Sequence, residues 1–319
     1  MRRYIPISVA ILIWAWTAIF IKMLQDVGFD PFTQNFYRYL AASIALLALT
    51  RSVNPAGFRT ACRKPWIFLV PGLAMTGFQT LWVLGIYRLT PAFTGLIGNS
   101  GILLVILIGL FYADERRYAL SPKFVLTILV GLVAVAGFIV LDPRARLDTG
   151  PDPARFYTGT ALVLAGTALW VAYAYLAKWL VRDCGALVSF SFSAAFSSMM
   201  MLAVAAAAGW SGSVHVNLGR VLDAPWPYVA LLFASGVMNV GVAQAIFQHS
   251  IRALGVSLTE GLVLIIPLFT ALFSYLVRGE VLTLPQWGCG LVLLASSGYL
   301  TVLGRRLAGR RGVEPGVPE

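Results

Sequence analysis

An ionisable group set among apolar residues can bind an ion, carry a proton or lock two helices together, and this chain has several in such places. Arg38 follows Gln34-Asn35-Phe36-Tyr37 within an apolar run. Burying a charge in hydrocarbon is costly, so it either attracts a carboxylate, locks a gate with an acid, or pairs structurally with a backbone carbonyl or a Glu. Glu260 lies about one turn inside the run Val256–Val277. A carboxylate there can take up and release a proton, which would couple movement to a proton gradient; a surface position or a contact with Arg252 is the structural alternative. Glu115 and Glu280 sit in turns at helix ends. They are expected to pair with nearby Arg or to cap helices, with gating as the further role.

A second chemistry is nucleophilic. Gly98-Asn99-Ser100-Gly101 places a serine inside an apolar run, and His249 lies inside another. An intramembrane serine protease needs such a pair within hydrogen-bond reach. Here Ser100 falls near one end of its helix and His249 near the opposite side, which helix rise puts at more than ~15 Å. The string is short and weak. His215, the other histidine, lies in a loop and builds no metal site with His249. No phosphate-cradling glycine loop or Walker pattern appears, so no cofactor is expected and an ATP-driven pump is disfavoured. Cys62, Cys184 and Cys289 show neither metal-ligand spacing nor a disulfide framework.

The elements that would position these groups follow from composition. The 319 residues are 59% hydrophobic and only 12% charged, with a mean hydropathy of +0.82. Soluble domains are about a quarter charged. Ten apolar runs suit a polytopic, all-α membrane protein, because about 20 apolar residues in a helix cross the hydrocarbon core. They are read as Ile5–Gln25, Pro31–Thr50, Trp66–Leu89, Ala92–Tyr112, Pro122–Leu141, Phe156–Val181, Ala186–Gly209, Trp226–Ile251, Val256–Val277 and Leu284–Leu303. Pro267 should bend its helix. With the N-terminus inside, sixteen Lys and Arg fall in inner segments and six in outer ones. This excess favours both termini in the cytoplasm, and it explains the net charge of +11 without nucleic acid.

The two halves resemble each other. Span one reads ILIWAWTAIFIKML and span six TALWVAYAYLAKWL, so Trp14 matches Trp170 and Lys22 matches Lys178. Spans three and eight both open on Pro-Trp, and Phe93–Leu141 matches Val256–Leu303 through Glu115 and Glu280. Five spans per half put the second half in upside down. An inverted repeat suits a transporter, since mirrored halves can rock about a midplane site. The divisions are a first repeat at 1–141, a linker at 142–155, a second repeat at 156–304 and a disordered cytoplasmic tail at 305–319. Ten helices with a midplane site are expected, with the candidate lining drawn from six spans. Span one offers Trp14 and Trp16, and span three Gln79, Trp82 and Tyr87. Spans four and six add Asn99, Ser100, Trp170 and Tyr173; span eight adds Asn239, Gln244 and Gln248, the last two sharing a face with Arg252. Amides can hydrogen-bond a zwitterion, and aromatic rings can hold an apolar ring or a cation. Trp66, Trp210, Trp226 and Trp287, at span ends, are assigned to an interfacial belt.

Together, Trp14 and Lys22, Arg38-Tyr39-Leu40-Ala41-Ala42, and Pro267 with Gly279-Glu280, Leu284 and Gly288 resemble the drug/metabolite transporter superfamily, specifically its EamA-type exporters. The resemblance covers nearly the whole chain. The first half departs from it, with Ile102 where Pro267 has its counterpart and Asp114 where a Gly precedes the Glu. The resemblance implies ten helices around a central cavity and efflux or exchange of small metabolites, amino acids or cationic drugs; the expected location is a bacterial-type inner membrane. The expected partners are a small-molecule substrate, the bilayer and, as coupling ion, protons. Besides the protease, the alternative is a membrane scaffold without transport.

Overall fold

In a computed structural model of the chain, residues 2–89, 94, 97–141, 153–210, 215–278 and 283–309 are described. The apolar runs form helices, which satisfy the backbone hydrogen bonds of their interior within one segment. The rods are α1 (Ile5–Asp26), α2 (Pro31–Val53), α3 (Pro65–Arg88), α4 (Ile97–Gly109), α5 (Pro122–Val140), α6 (Pro153–Cys184), α7 (Ala186–Trp210), α8 (Trp226–Leu254), α9 (Val256–Val277) and α10 (Leu284–Gly309). Seven of these are long and apolar enough to cross a membrane: α1, α3 and α6 to α10. The shorter α4 and α5 are apolar too. In α2, Arg38 and Arg51 interrupt an otherwise suitable length.

Local chemistry sets several of the helix ends. Asp30 accepts hydrogen bonds from Phe32 N and Thr33 N at 3.0 and 2.9 Å, and Pro31 occupies the first helical position of α2, where a missing N–H costs nothing. Single glycines join α6 to α7 and α8 to α9. Gly185 and Gly255 have φ of +82° and +88°, a region that a side chain makes costly. Pro267 lacks the N–H that would continue the ladder, and α9 breaks into Val256–Val263 and Ile266–Arg278 just before it. Two irregularities carry no proline: α1 kinks at Trp16, and α8 contains a π-helical turn over Gly236–Val242.

Two expected boundaries change. Pro153, Ala154 and Arg155 form the first turn of α6 instead of belonging to the linker. At the other end α10 runs on through Arg305 and Arg306 to Gly309, although disorder was expected from Arg305. Contacts explain that extension: Tyr4 Oη donates to the Thr301 carbonyl at 3.1 Å, and the Arg305 guanidinium lies 5.3 Å from the Tyr4 ring centroid. These contacts put the starts of α1 and the end of α10 on one face of the bundle.

The rods pack mainly across the halves of the sequence. α6 lies on α3, α7 on α2, α10 on α5, and α1 on α8. Small residues allow the approach: a Cβ at Gly77 or Gly85 of α3 would meet Leu169 or Val163 of α6 at 2.6 or 2.3 Å. Large apolar side chains cover the outside, and polar ones lie within the apolar interior. Leu126, Val133 and Met199 face outward, while Thr33, Gln34, Asn35, Ser189, Ser193 and Gln248 are buried. Such a surface suits lipid, and the chain is a polytopic helical membrane protein.

Candidate functional site

Trp170 of α6 is the centre of an aromatic cluster. Its ring centroid lies 4.9 Å from Phe78 of α3, 5.3 Å from Phe247 of α8, 6.0 Å from Trp14 of α1 and 5.7 Å from Tyr173 of its own helix. The indole N–H donates to Glu260 Oε1 of α9 at 2.8 Å. Glu260 is buried, and no cation pairs with it among the described residues. The contact with Arg252 considered from sequence is therefore replaced by one with an indole. Arg252 itself is exposed near the end of α8, so it leaves the buried face it was expected to share with Gln244 and Gln248.

Trp14 is anchored differently. Its indole N–H donates to the Asn239 carbonyl at 3.0 Å, inside the π-helical turn, and Asn239 Nδ2 donates to Thr17 Oγ1 at 2.8 Å. Gln248 Nε2 donates to the Tyr173 hydroxyl. The cluster thus unites Trp14, Trp170, Tyr173, Asn239, Gln248 and Glu260, all singled out from sequence. It adds Phe78 and Phe247, which sequence offered only as ordinary apolar residues.

Arg38 is 1% exposed on α2, and its Nε and Nη1 have no hydrogen-bond partner among the described residues. The same holds for Gln244 Nε2, Gln248 Oε1 and Asn35 Oδ1. Buried polar atoms are nearly always paired, so these atoms keep hydrogen-bonding capacity that the described side chains leave unused. Beside it, α8 presses on α2: a Cβ at Gly236 would stand 2.5 Å from the Arg38 carbonyl oxygen.

Other candidates lie elsewhere. Tyr87 donates to the Phe29 carbonyl at 2.6 Å and accepts from Gln34 Nε2 at 2.7 Å, which braces the end of α3. Trp16 stacks on Phe273 of α9 at 4.6 Å, and Trp82 packs on Phe78 at 5.7 Å and over Gly98. The Gln79 carbonyl accepts from Asn35 Nδ2 at 3.3 Å. Asn99 is half-buried at the turn that ends with Ser100. Ser100 Oγ donates to the Ile97 carbonyl at 2.6 Å and His249 is exposed on α8, so the two form no dyad. Of the four belt tryptophans, Trp210 and Trp226 are the most exposed.

Glu115 builds a second polar centre, at the end of the bundle. Fully buried, it accepts from Lys178 Nζ at 2.5 Å and from Val256 N and Ser257 N at 2.8 and 3.1 Å. It thereby caps α9 from another part of the chain, satisfying N–H groups that a helix start leaves free. The cation is Lys178, where an arginine was expected; Asp114 shares it at 2.7 Å. Sequence reasoning missed Lys178 as a functional residue, although its match with Lys22 was a usable signal. Glu280 lies outside the described residues.

The model of the EamA-like transporter family matches residues 2–140 and 157–303. An uncharacterized transporter of Archaeoglobus fulgidus is 25% identical over 285 residues, covering 88% of this chain and 90% of its own. One from Methanothermobacter thermautotrophicus is 24% identical over 310 residues, covering 92% and 85%. A crystal structure of a protein 17% identical in sequence shares the fold, with a TM-score of 0.76 over 96% of this chain and 98% of that one.

Proposed function

The chain belongs to the EamA-like transporter family, and we propose that it is a secondary transporter exporting a small amino acid-like or amphiphilic metabolite by alternating access. Two five-helix repeats, residues 1–141 and 156–304, enter the membrane in opposite senses and rock about the Trp170 cluster. The membrane is the bacterial-type inner membrane, with both termini cytoplasmic. The pairing of rods supports the repeat: α3 packs on α6 as α8 does on α1, and α3 packs on α7 as α8 does on α2. Exchanging the halves turns each of these pairs into another that is present.

The observation that carries the reading is the meeting of polar and aromatic side chains from α1, α3, α6, α8 and α9 inside an apolar bundle, with Glu260 among them. An isolated acid at such depth is costly, and transporters use such acids as proton relays. Glu260 takes up the coupling proton. Arg38, with two N–H groups unclaimed, receives the carboxylate of the substrate. Glu115 and Glu280 act at the ends of the cycle as gates. No catalytic step is assigned.

The test is a flux assay over a panel of amino acids and amphiphilic amines in vesicles, at two pH values, with and without an imposed proton gradient. Flux should follow the gradient, and Glu260→Gln should abolish that dependence. Arg38→Ala should weaken apparent affinity for carboxylate substrates by tenfold or more, the scale of a lost charge-assisted hydrogen bond of about 1.5–3 kcal/mol. Flux indifferent to pH and to Glu260→Gln removes the coupling role; unchanged affinity in Arg38→Ala removes the carboxylate site.

A further inference from the structure

We propose that the short helix Pro55–Arg63, with its flanking residues, is a binding surface for anionic phospholipid headgroups. The inference rests on the chain spanning a bilayer, and not on any substrate or coupling ion. The helix connects α2 to α3, so it lies at the membrane surface. Its orientation is fixed by packing. Phe58 packs against Phe192 of α7 with ring centroids 5.4 Å apart, Ala61 is buried, and Asn54 Oδ1 accepts from Gly57 N at 2.9 Å to cap the start.

That packing turns the basic side chains outward. Arg59, Arg63 and Lys64 are exposed, and so is Arg51 at the end of α2. None of the four forms an ion pair among the described residues. The sequence explains why: no Asp or Glu occurs between Asp30 and Asp114. On the same face Lys123, Arg182 and Arg252 are exposed singly, on three separate helices, and other basic residues are engaged. Lys178 binds Asp114 and Glu115, while Arg117 and Arg305 lie 4.9 and 5.3 Å from the rings of Tyr118 and Tyr4.

Charge complementarity selects the occupant. A phosphodiester anion offers two oxygens to an arginine fork, and two arginines and a lysine lie within six residues of one short helix and its end. Trp66, 62% exposed two residues after Lys64, fits the headgroup depth that such a contact needs. Each basic residue near an anionic surface changes binding about fivefold.

Native mass spectrometry of the full chain, released from micelles titrated with phosphatidylglycerol or phosphatidylcholine, tests this. Wild type should retain phosphatidylglycerol in preference to phosphatidylcholine. The triple variant Arg59→Gln, Arg63→Gln, Lys64→Gln should bind phosphatidylglycerol at least tenfold more weakly, and Arg63→Gln alone about fivefold more weakly. Phosphatidylcholine binding should not change, and the variants keep Phe58 and Ala61, so elution as a folded monodisperse species is checked first. A control, Arg305→Gln with Arg306→Gln, removes charge from the same face. The proposal is overturned if the triple variant binds phosphatidylglycerol like wild type, or if the control loses as much. Displacement of the lipid by millimolar inorganic phosphate would also overturn it, in favour of a free-anion site. Loss of proton-coupled flux in Glu260→Gln has no bearing on this outcome.

Discussion

α1 and α6 carry the same spaced pair, Trp14 with Lys22 and Trp170 with Lys178, yet the pairs are used differently. The Trp14 indole bonds to a backbone carbonyl, and Lys22, among the described residues, reaches Gln25 at 2.8 Å on its own helix. The Trp170 indole bonds to the Glu260 carboxylate, and Lys178 is buried against Asp114 and Glu115. In α6, both positions meet acids from other elements. The environment therefore decides the role: a similar sequence pattern gives a packing contact in one place and a buried electrostatic link in the other.

The largest expected difference is at the lysines. Lys178→Ala leaves Glu115 buried without its cation and should destabilise the protein by about 3–5 kcal/mol in mixed-micelle unfolding. Lys22→Ala should cost under about 0.5 kcal/mol. Equal losses would break the comparison. The tryptophans come next. Trp170→Phe removes the indole donor from a buried carboxylate and should cost about 1.5–3 kcal/mol, against about 0.5–1.5 kcal/mol for Trp14→Phe, which loses a neutral hydrogen bond.

The smallest effect concerns Asp114, which sharpens how the link at Lys178 is shared. Burial acts to raise the Asp114 carboxyl, but the hydrogen bond and charge of Lys178 outweigh it and hold the group below its usual range. A carboxylate depressed in the folded state contributes stability above the unfolded value, and the contribution is lost as pH falls through the folded one. Asp114→Asn should thus cost no more than about 1 kcal/mol near neutrality, since the side chain is half exposed. The gap from wild type should close below roughly pH 4. A gap that persists in acid would assign the loss to packing.

Most rods were legible because their signals are local. Asp30-Pro31, Pro122 and Trp226-Pro227 mark starts, and Gly185 and Gly255 mark turns. The break before Pro267 follows from a missing N–H. The kink at Trp16 and the π-helical turn at Gly236–Val242 were not legible. The first has no proline or glycine at the break, and the second arises where α8 packs tightly on α2. For the site, residue types pointed to Trp170, Tyr173, Gln248 and Glu260. Their partners did not follow, because Trp170 and Glu260 are 90 residues apart and their contact depends on how the rods pack. The same distance effect hid Lys178 as the partner of Glu115 and the hydrogen bond by which Tyr87 braces a helix end.

The cap on α9 has a consequence for biogenesis. Glu115 precedes Val256 by 141 residues, so it is synthesised and inserted long before the helix it completes. Until α9 emerges, the partner of the Glu115 carboxylate among the described side chains is Lys178; until the cap is reached, the first amides of α9 lack this acceptor. Insertion of the late helix is thereby drawn toward a place prepared by the early one, and a truncated chain ending before Val256 is left with an acid that has nothing to close.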